Sequence, residues 1–235
     1  MGHKTRLLST MPLAQPLLDK AVELGVVLDV MSFIKISAVE DAAMEEKIVD
    51  LCYLPITAVF TSANAVKAVA DIIINADPGW DIYCIGNATL AAVKKVFESA
   101  IVKGVAKHAA ALAKVIISQT DDEIVLFCGD KRLDTLPDAL RENDIDVFEV
   151  VVYQTTETPK EVSPDYDGIL FFSPSAVNSF FSANKIGPDT VLFAIGNTTA
   201  NATKPHTFNK VIVSETASKE TVLDYAAKYF TNKPA

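Results

Sequence analysis

The sequence lacks the short motifs that mark most cofactor-dependent enzymes. None of its nine glycines falls in a G-x-G-x-x-G or phosphate-loop pattern, and G-x-S-x-G and H-x-x-x-H are also missing. The three histidines, His3, His108 and His206, lie far apart without the spacing of metal ligands, which predicts surface or tail positions. We therefore expect no metal, nucleotide or other cofactor.

Cysteine is scarce too. Cys52, Cys84 and Cys128 are odd in number, far apart and flanked by apolar residues, which predicts buried thiols in strands and no disulfide framework. The first residues show no secretory signal, and no apolar run is long enough to span a bilayer. These features predict a cytoplasmic protein in a reducing compartment.

Positive charge is in deficit, since the net charge of the 235 residues is −9. Such a balance argues against a broad surface for nucleic acid or anionic membrane, so we expect neither as a partner. A local anion site remains compatible with it, because backbone N–H groups bind anions without formal charge. With 50% hydrophobic and 22% charged residues, the composition is typical of a globular protein, which we expect to be a monomer.

What the chain does contain is a regular alternation of short apolar runs and amphipathic stretches. For example, residues 13–24 have helical spacing and end at Gly25, while residues 57–60 form a buried-type strand run. Alternating strands and helices predict parallel sheets covered by helices on both faces. The predicted fold class is therefore α/β of the flavodoxin or Rossmann type.

An internal repeat divides this pattern in two. Residues 60–66 resemble residues 171–177 once their serines are aligned, and residues 85–89 resemble residues 195–199, at nearly the same distance from those serines. Two copies of one βαβ arrangement predict two similar lobes, each with its own sheet. Long β-rich runs before and after the central block would pair as a two-stranded ladder and act as a hinge. The predicted domains are a discontinuous lobe of residues 1–26 and 158–235, an inserted lobe of residues 40–147, and a ladder of residues 27–39 and 148–157.

The repeated strand-to-helix turns are the candidate ligand site. Glycines such as Gly86 and Gly196 allow close approach of a ligand, Asn87 and Asn197 suit helix N-caps, and the Ser and Thr hydroxyls add donors. Any one of these turns could be a helix cap and nothing more. Together they would line a cleft between the lobes, because ligands of open α/β sheets bind at the carboxyl ends of strands. The predicted binding residues are Ser62, Gly86, Asn87, Thr89, Gly129, Asp130, Lys131, Ser173, Ser175, Thr198 and Thr199.

One residue stands out as a candidate proton donor. Tyr153 lies in the second β-rich run, where the chain would pass the cleft. A lone tyrosine in a strand is usually structural. Because strongly ionisable groups are scarce around the other turns, Tyr153 is nevertheless the best catalytic candidate.

At these residues the sequence resembles the uroporphyrinogen-III synthase family. The matching segments follow the family's order over nearly the whole chain, and their order together with the Tyr-Gln-Thr element is the specific part. One departure lies at residues 9–12, Ser-Thr-Met-Pro, where members often have Thr-Arg-Pro. The segments are residues 60–66, 85–89, 126–140, 152–155, 171–175 and 194–199.

The resemblance implies a cofactor-independent lyase of tetrapyrrole biosynthesis. Such an enzyme removes the hydroxyl of hydroxymethylbilane as water and closes the ring to uroporphyrinogen III, inverting the last pyrrole through a spiro intermediate. It also implies that Tyr153 assists departure of the hydroxyl and that Ser62, Thr89, Ser173 and Thr199 lie at the cleft. The substrate is driven to react by its own chemistry, so the protein's main task would be positioning.

Two other classes stay open at this stage. A two-lobed binding protein for an anionic metabolite would share the acidic charge and the scarcity of catalytic groups. A Rossmann-type nucleotide enzyme would share the alternating pattern, although the missing glycine fingerprint argues against it.

Overall fold

The computed structural model describes residues 4–74, 76–120, 122–163 and 165–231. The chain forms two compact units. Unit 1 combines the residues up to Lys35 with those from Thr156 onward, and unit 2 is Ile36–Thr155. Of the residues singled out by the sequence, His3 lies outside the described part.

Strands and helices alternate through both units. The strands are β1 (Arg6–Ser9), β2 (Val27–Val30), β3 (Ile34–Ala38), β4 (Thr57–Phe60), β5 (Asp81–Ile85), β6 (Ile101–Ala106), β7 (Ile124–Gly129), β8 (Val147–Glu157), β9 (Gly168–Phe171), β10 (Val191–Ala194) and β11 (Val211–Val213). The helices are α1 (Gln15–Glu23), α2 (Ala42–Leu51), α3 (Ala63–Ile72), α4 (Gly86–Val96), α5 (Ala109–Ile117), α6 (Thr135–Arg141), α7 (Pro174–Ala183), α8 (Asn197–Thr203) and α9 (Lys219–Thr231).

Unit 1 is built on a five-stranded parallel sheet in the order β11-β10-β9-β1-β2. Its central strands β9 and β10 are buried along their whole length, as expected for strands covered on both faces. Residues 27–30 were predicted to belong to the connecting ladder, and that assignment is wrong. They form β2, which pairs in parallel with β1 because the α1 crossover returns the chain to the same sheet.

Unit 2 has a six-stranded sheet in the order β3-β8-β7-β4-β5-β6. β8 is a full member of this sheet, parallel to β7, as well as the partner of β3. Backbone bonds from Val39 N to Val152 O and from Thr158 N to Phe33 O show that β3 and β8 run antiparallel. The sequence analysis missed β6, which contains Lys103 and Gly104 and lies at the sheet edge, where the apolar signal is weak.

The two sheets have the same strand order with a permuted chain. In unit 1, β2-β1-β9-β10-β11 corresponds to β8-β7-β4-β5-β6 of unit 2. Each sheet contains one pair of neighbouring strands whose following connections lead to opposite sides of the sheet. The pair is β1 and β9 in unit 1, and β4 and β7 in unit 2. These pairs are the topological switch points, outside whose carboxyl ends ligands of such folds bind. The predicted class, two α/β units with parallel sheets, is confirmed.

Aromatic side chains fill the core beneath these edges. In unit 2, Trp80 stacks on Phe127 and contacts Phe97, while its indole N–H donates to Leu51 O at 3.0 Å. In unit 1, Phe171 meets Phe180 edge to face. Truncating such a buried ring to alanine costs about 3–5 kcal/mol, so the rings hold the strand ends rigidly in place.

Local signals explain several boundaries. Helix α1 ends as predicted, with Gly25 at φ +74°, a conformation that glycine adopts without steric cost. Cys84 and Cys128 are buried in strands, whereas Cys52 is half-buried at the end of α2, contrary to the prediction, because its apolar neighbours belong to a helix. No helix in the described residues is long and apolar enough to cross a membrane.

Candidate functional site

The repeated turns occupy equivalent places in the two units. Ser62 follows β4 and caps α3 by accepting from Asn64 N at 3.1 Å, and Ser173 follows β9 and caps α7 by accepting from Ala176 N at 3.2 Å. Both hydroxyl oxygens therefore satisfy a free N–H of a helix end, as a cap should. The Ser173 hydroxyl still has its proton to donate, so capping and ligand binding are compatible there.

The glycine turns differ in backbone conformation. Gly86 has φ +78°, which favours glycine, whereas Gly196 is extended and needs no such freedom. A Cβ added to either would meet no atom within 4 Å, so open space lies above both turns. The prediction that Asn87 and Asn197 are N-caps is wrong, since both lie inside the first helical turn and the cap positions are Ile85 and Gly196. Each helix therefore starts one or two residues earlier than the side-chain pattern suggested.

The threonines of these turns point in two directions. Thr89 and Thr199 are buried, with 4% and 3% of their surface exposed, so they pack under their helices. Thr198 in unit 1 and Asn87 in unit 2 are exposed, each in the first turn of its helix, and Ser175 is half-buried in the first turn of α7. The residues best placed to meet a solvent-borne ligand in these turns are thus the exposed ones.

Tyr153 lies against the end of strand β7. The ring of Tyr153 covers the Cα of Gly129 so closely that a Cβ there would stand 2.4 Å from Cε2 and Cζ of the ring. Gly129 was predicted to be a ligand-binding residue. The group that makes this close approach is the tyrosine of the same unit.

A register shift in the sheet sets the position of Tyr153. Cys128 pairs with Val151, but Gly129 pairs with Tyr153, so one extra residue bulges from β8. Asp130 holds β8 just beyond this bulge: its N–H donates to Tyr153 O at 3.1 Å, and its Oδ1 accepts from Thr155 N at 2.8 Å. The Asp130 carboxylate, predicted to face ligand, is thus engaged with the backbone of β8.

The surroundings of Tyr153 keep its hydroxyl protonated. Burial raises the pKa of Tyr153 above that of an ordinary tyrosine, while a hydrogen bond with the Ser62 side chain acts to lower it. Because Ser62 follows β4 and Gly129 ends β7, the phenol lies at the switch point of unit 2. This brings three of the predicted residues together: Tyr153, Ser62 and Gly129.

Charged side chains follow β7 on the same edge. Lys131 is exposed, whereas the half-buried Arg132 is ion-paired with Asp134 and Glu149. Arg141 binds the second oxygen of Glu149 at 2.7 Å. Burial acts to raise the pKa of Glu149, but the bonds from Arg141 and Arg132 outweigh it and the pKa is lowered. Sequence reasoning missed this cluster, because its members are 8 and 17 residues apart and meet through the β7–β8 pairing.

The other candidate groups are structural. His108 caps α5 by accepting from Ala111 N, and His206 stacks on Phe181 with a ring separation of 5.0 Å. Burial raises the pKa of Cys128 to about 11, so this thiol beside Tyr153 stays protonated. Within the ranges that the structure describes, His, Cys, Asp and Glu form no group of three able to hold a metal ion.

Solved structures with the same fold are uroporphyrinogen-III synthases. The enzyme from Helicobacter pylori is 15% identical, with a TM-score of 0.64 over 96% of this chain and 99% of that chain. A mutant enzyme from Thermus thermophilus is 15% identical, with a TM-score of 0.66 over 97% and 100%. At this low sequence identity, the structural similarity shows a shared fold and nothing more.

Family membership follows from the sequence model of one family. The model described as uroporphyrinogen-III synthase HemD matches residues 15–224, which include every candidate residue of both units. The chain therefore belongs to the uroporphyrinogen-III synthase family, the lyases that cyclise hydroxymethylbilane in tetrapyrrole biosynthesis.

Proposed function

We propose that this protein closes hydroxymethylbilane to uroporphyrinogen III with Tyr153 as the group that protonates the departing hydroxyl. The observation that carries the proposal is the position of this phenol, at the switch point of unit 2, beside Ser62 and over Gly129. Its raised pKa supports the role, because a proton donor must hold its proton at neutral pH.

The chemistry requires little else from the protein. The Tyr153 proton and the substrate hydroxyl leave together as water, and the remaining azafulvene carbon is electrophilic. The terminal pyrrole attacks it through the α-carbon that is already bonded to the last methylene bridge, which gives a spiro intermediate. The bond from that carbon to the bridge then breaks and re-forms at the other α-carbon, so that the ring is inverted. Ring closure releases the proton of the free α-carbon of that pyrrole, and the return of one proton through solvent to the Tyr153 phenolate balances the reaction. The protein then contributes mainly orientation.

Binding of eight substrate carboxylates falls to the strand-to-helix turns. Backbone N–H groups at Gly86–Thr89, Ser175 and Thr198 lie in the first turns of α4, α7 and α8, where the helix ends favour negative charge. Lys131 adds a cation at the carboxyl edge of unit 2. Asp130 does not contribute directly in this scheme, since a carboxylate would repel the substrate and its oxygen is used by Thr155.

The isomer formed by purified protein tests this function. With hydroxymethylbilane and no added metal or nucleotide, we expect uroporphyrinogen III, separated from the type I isomer by chromatography after oxidation. Formation of only type I, the product of spontaneous closure, would overturn the proposal. Activity as a monomer in the soluble cytoplasmic fraction is the corresponding expectation for state and location.

A further inference from the structure

The last helix of unit 1 begins with Lys219, which has no counterion among the residues that the structure describes. Lys219 is half-buried in the first turn of α9, and it forms no ion pair or hydrogen bond with the side chains that the structure describes. Burial lowers its pKa, as expected for an ammonium that loses water without gaining a partner. An unpaired, partly desolvated cation is costly for the folded protein.

The acids nearest to Lys219 along the chain are all engaged elsewhere. Glu220 and Asp224 both bind Lys20 of α1 at 2.8 Å. Glu215 hydrogen-bonds with the side chain of Tyr225. All three carboxylates close to Lys219 along the chain are therefore bound to other side chains, and Lys219 can pair with the anion of a ligand.

The position of Lys219 relates it to the turns already described. The segment between β11 and α9 starts at the carboxyl edge of the sheet, where Ser214 N donates to Ala194 O at 2.9 Å. Ala194 is the last residue of β10 and directly precedes the turn of Gly196 and Thr198. Hydrogen bonds from Ser214 Oγ to Thr216 O and between Thr216 and Thr221 hold this segment in place.

We propose that Lys219 binds a carboxylate of the tetrapyrrole at the carboxyl edge of unit 1, next to the turn at Gly196. The inference rests on the proposed function for the identity of the ligand. A ligand carboxylate would supply the counterion that the described residues of unit 1 do not provide for Lys219. Hydrogen bonds between an ammonium and a carboxylate are stronger than those between neutral groups. Lys219 is then a substrate-binding residue that the repeat pattern does not reveal, because unit 2 has no lysine at the start of α5, the equivalent helix.

The test compares two lysines of one helix. K219M removes the proposed contact, and K228M removes the same charge from an exposed position in the last turn of α9. For K219M we expect the KM for hydroxymethylbilane to rise about 10-fold with kcat changed less than about 2-fold, which is the effect of losing one charge-assisted bond. K219R should recover most of the affinity, and K228M should match the wild type.

A binding measurement separates this inference from the reaction itself. Titration with uroporphyrin III, an octacarboxylate, followed by fluorescence should give a dissociation constant about 10-fold larger for K219M than for K228M, with a weaker dependence on salt. Equal constants for the two variants would overturn the role of Lys219 even if the wild type forms the type III isomer. Conversely, a wild type that binds this probe through Lys219 but forms only type I would overturn the reaction and leave the binding site standing.

Discussion

The ring of Tyr153 lies directly on the Cα of Gly129, and no side chain fits between them. An added Cβ would be 2.4 Å from two ring carbons and 2.8 Å from the hydroxyl oxygen. Glycine at the end of β7 is therefore a condition for the position of the phenol. The relationship links a small residue in one strand to the proposed proton donor in the next.

Substitution of this glycine should displace the tyrosine. In G129A we expect turnover to fall about 10-fold or more, because Tyr153 must move or its strand must shift. Steady-state kinetics with hydroxymethylbilane checks this, and thermal unfolding reports the accompanying strain. Gly79 provides the matched control in unit 2, since a Cβ there meets no atom within 4 Å. If G129A and G79A are equally active, the close packing has no catalytic consequence.

Removal of the phenol oxygen should slow the reaction without unfolding the protein. For Y153F we expect kcat to fall about 10-fold or more, the usual contribution of a general acid, with little change in melting temperature. An unchanged rate would make Tyr153 a structural residue.

The ionisation of Tyr153 can be measured directly. Its pKa is raised by burial, so the protonated form persists at neutral pH and is lost only as the pH rises through that higher value. The ultraviolet titration of the wild type minus that of Y153F should have its midpoint above about pH 10, the value of free tyrosine. A midpoint at or below pH 10 would contradict the buried, donor-competent state.

Variants of Asp130 separate the effect of its hydrogen bond to Thr155 from the effect of its negative charge. D130N retains an oxygen that can accept from Thr155 N, whereas D130A loses it and should free the bulge beside Tyr153. We expect D130N to stay within about 2-fold of wild-type kcat and D130A to fall about 5-fold, with a loss of about 1 kcal/mol in unfolding free energy. A lower KM in both variants would instead show that the carboxylate faces the substrate.

The Glu149 cluster should make stability depend on acid pH. Since the folded pKa of Glu149 is lowered, its contribution is present above the unfolded pKa and disappears as the pH falls through the folded value. The difference in unfolding free energy between wild type and E149Q should therefore be larger at pH 7 than at pH 3. Denaturant unfolding at the two pH values measures it, and an equal difference would show that Arg132 and Arg141 do not act through this charge.

Particular residues show which structural features can be predicted from the sequence pattern close by. Gly25 was correctly predicted to end α1, because a helix stop depends on backbone conformation within a few residues. The paired turns at Ser62 and Ser173 were recognised for the same reason, since a strand, a cap and a helix are local signals. The prediction of Asn87 and Asn197 as N-caps was wrong, because each helix starts before its asparagine, with Gly86 in α4 and with Gly196 as the cap of α8.

The sequence alone determined the α/β class, the duplication into two units and the choice of Tyr153 as the residue to test, because periodicity and repeats are written along the chain. Tertiary structure decided what surrounds that tyrosine. Gly129 and Asp130 meet it through β7–β8 pairing and a bulge, and Ser62 reaches it from β4. Such contacts depend on strand order and register, which join residues about 20 to 90 positions apart and leave no local periodic signal.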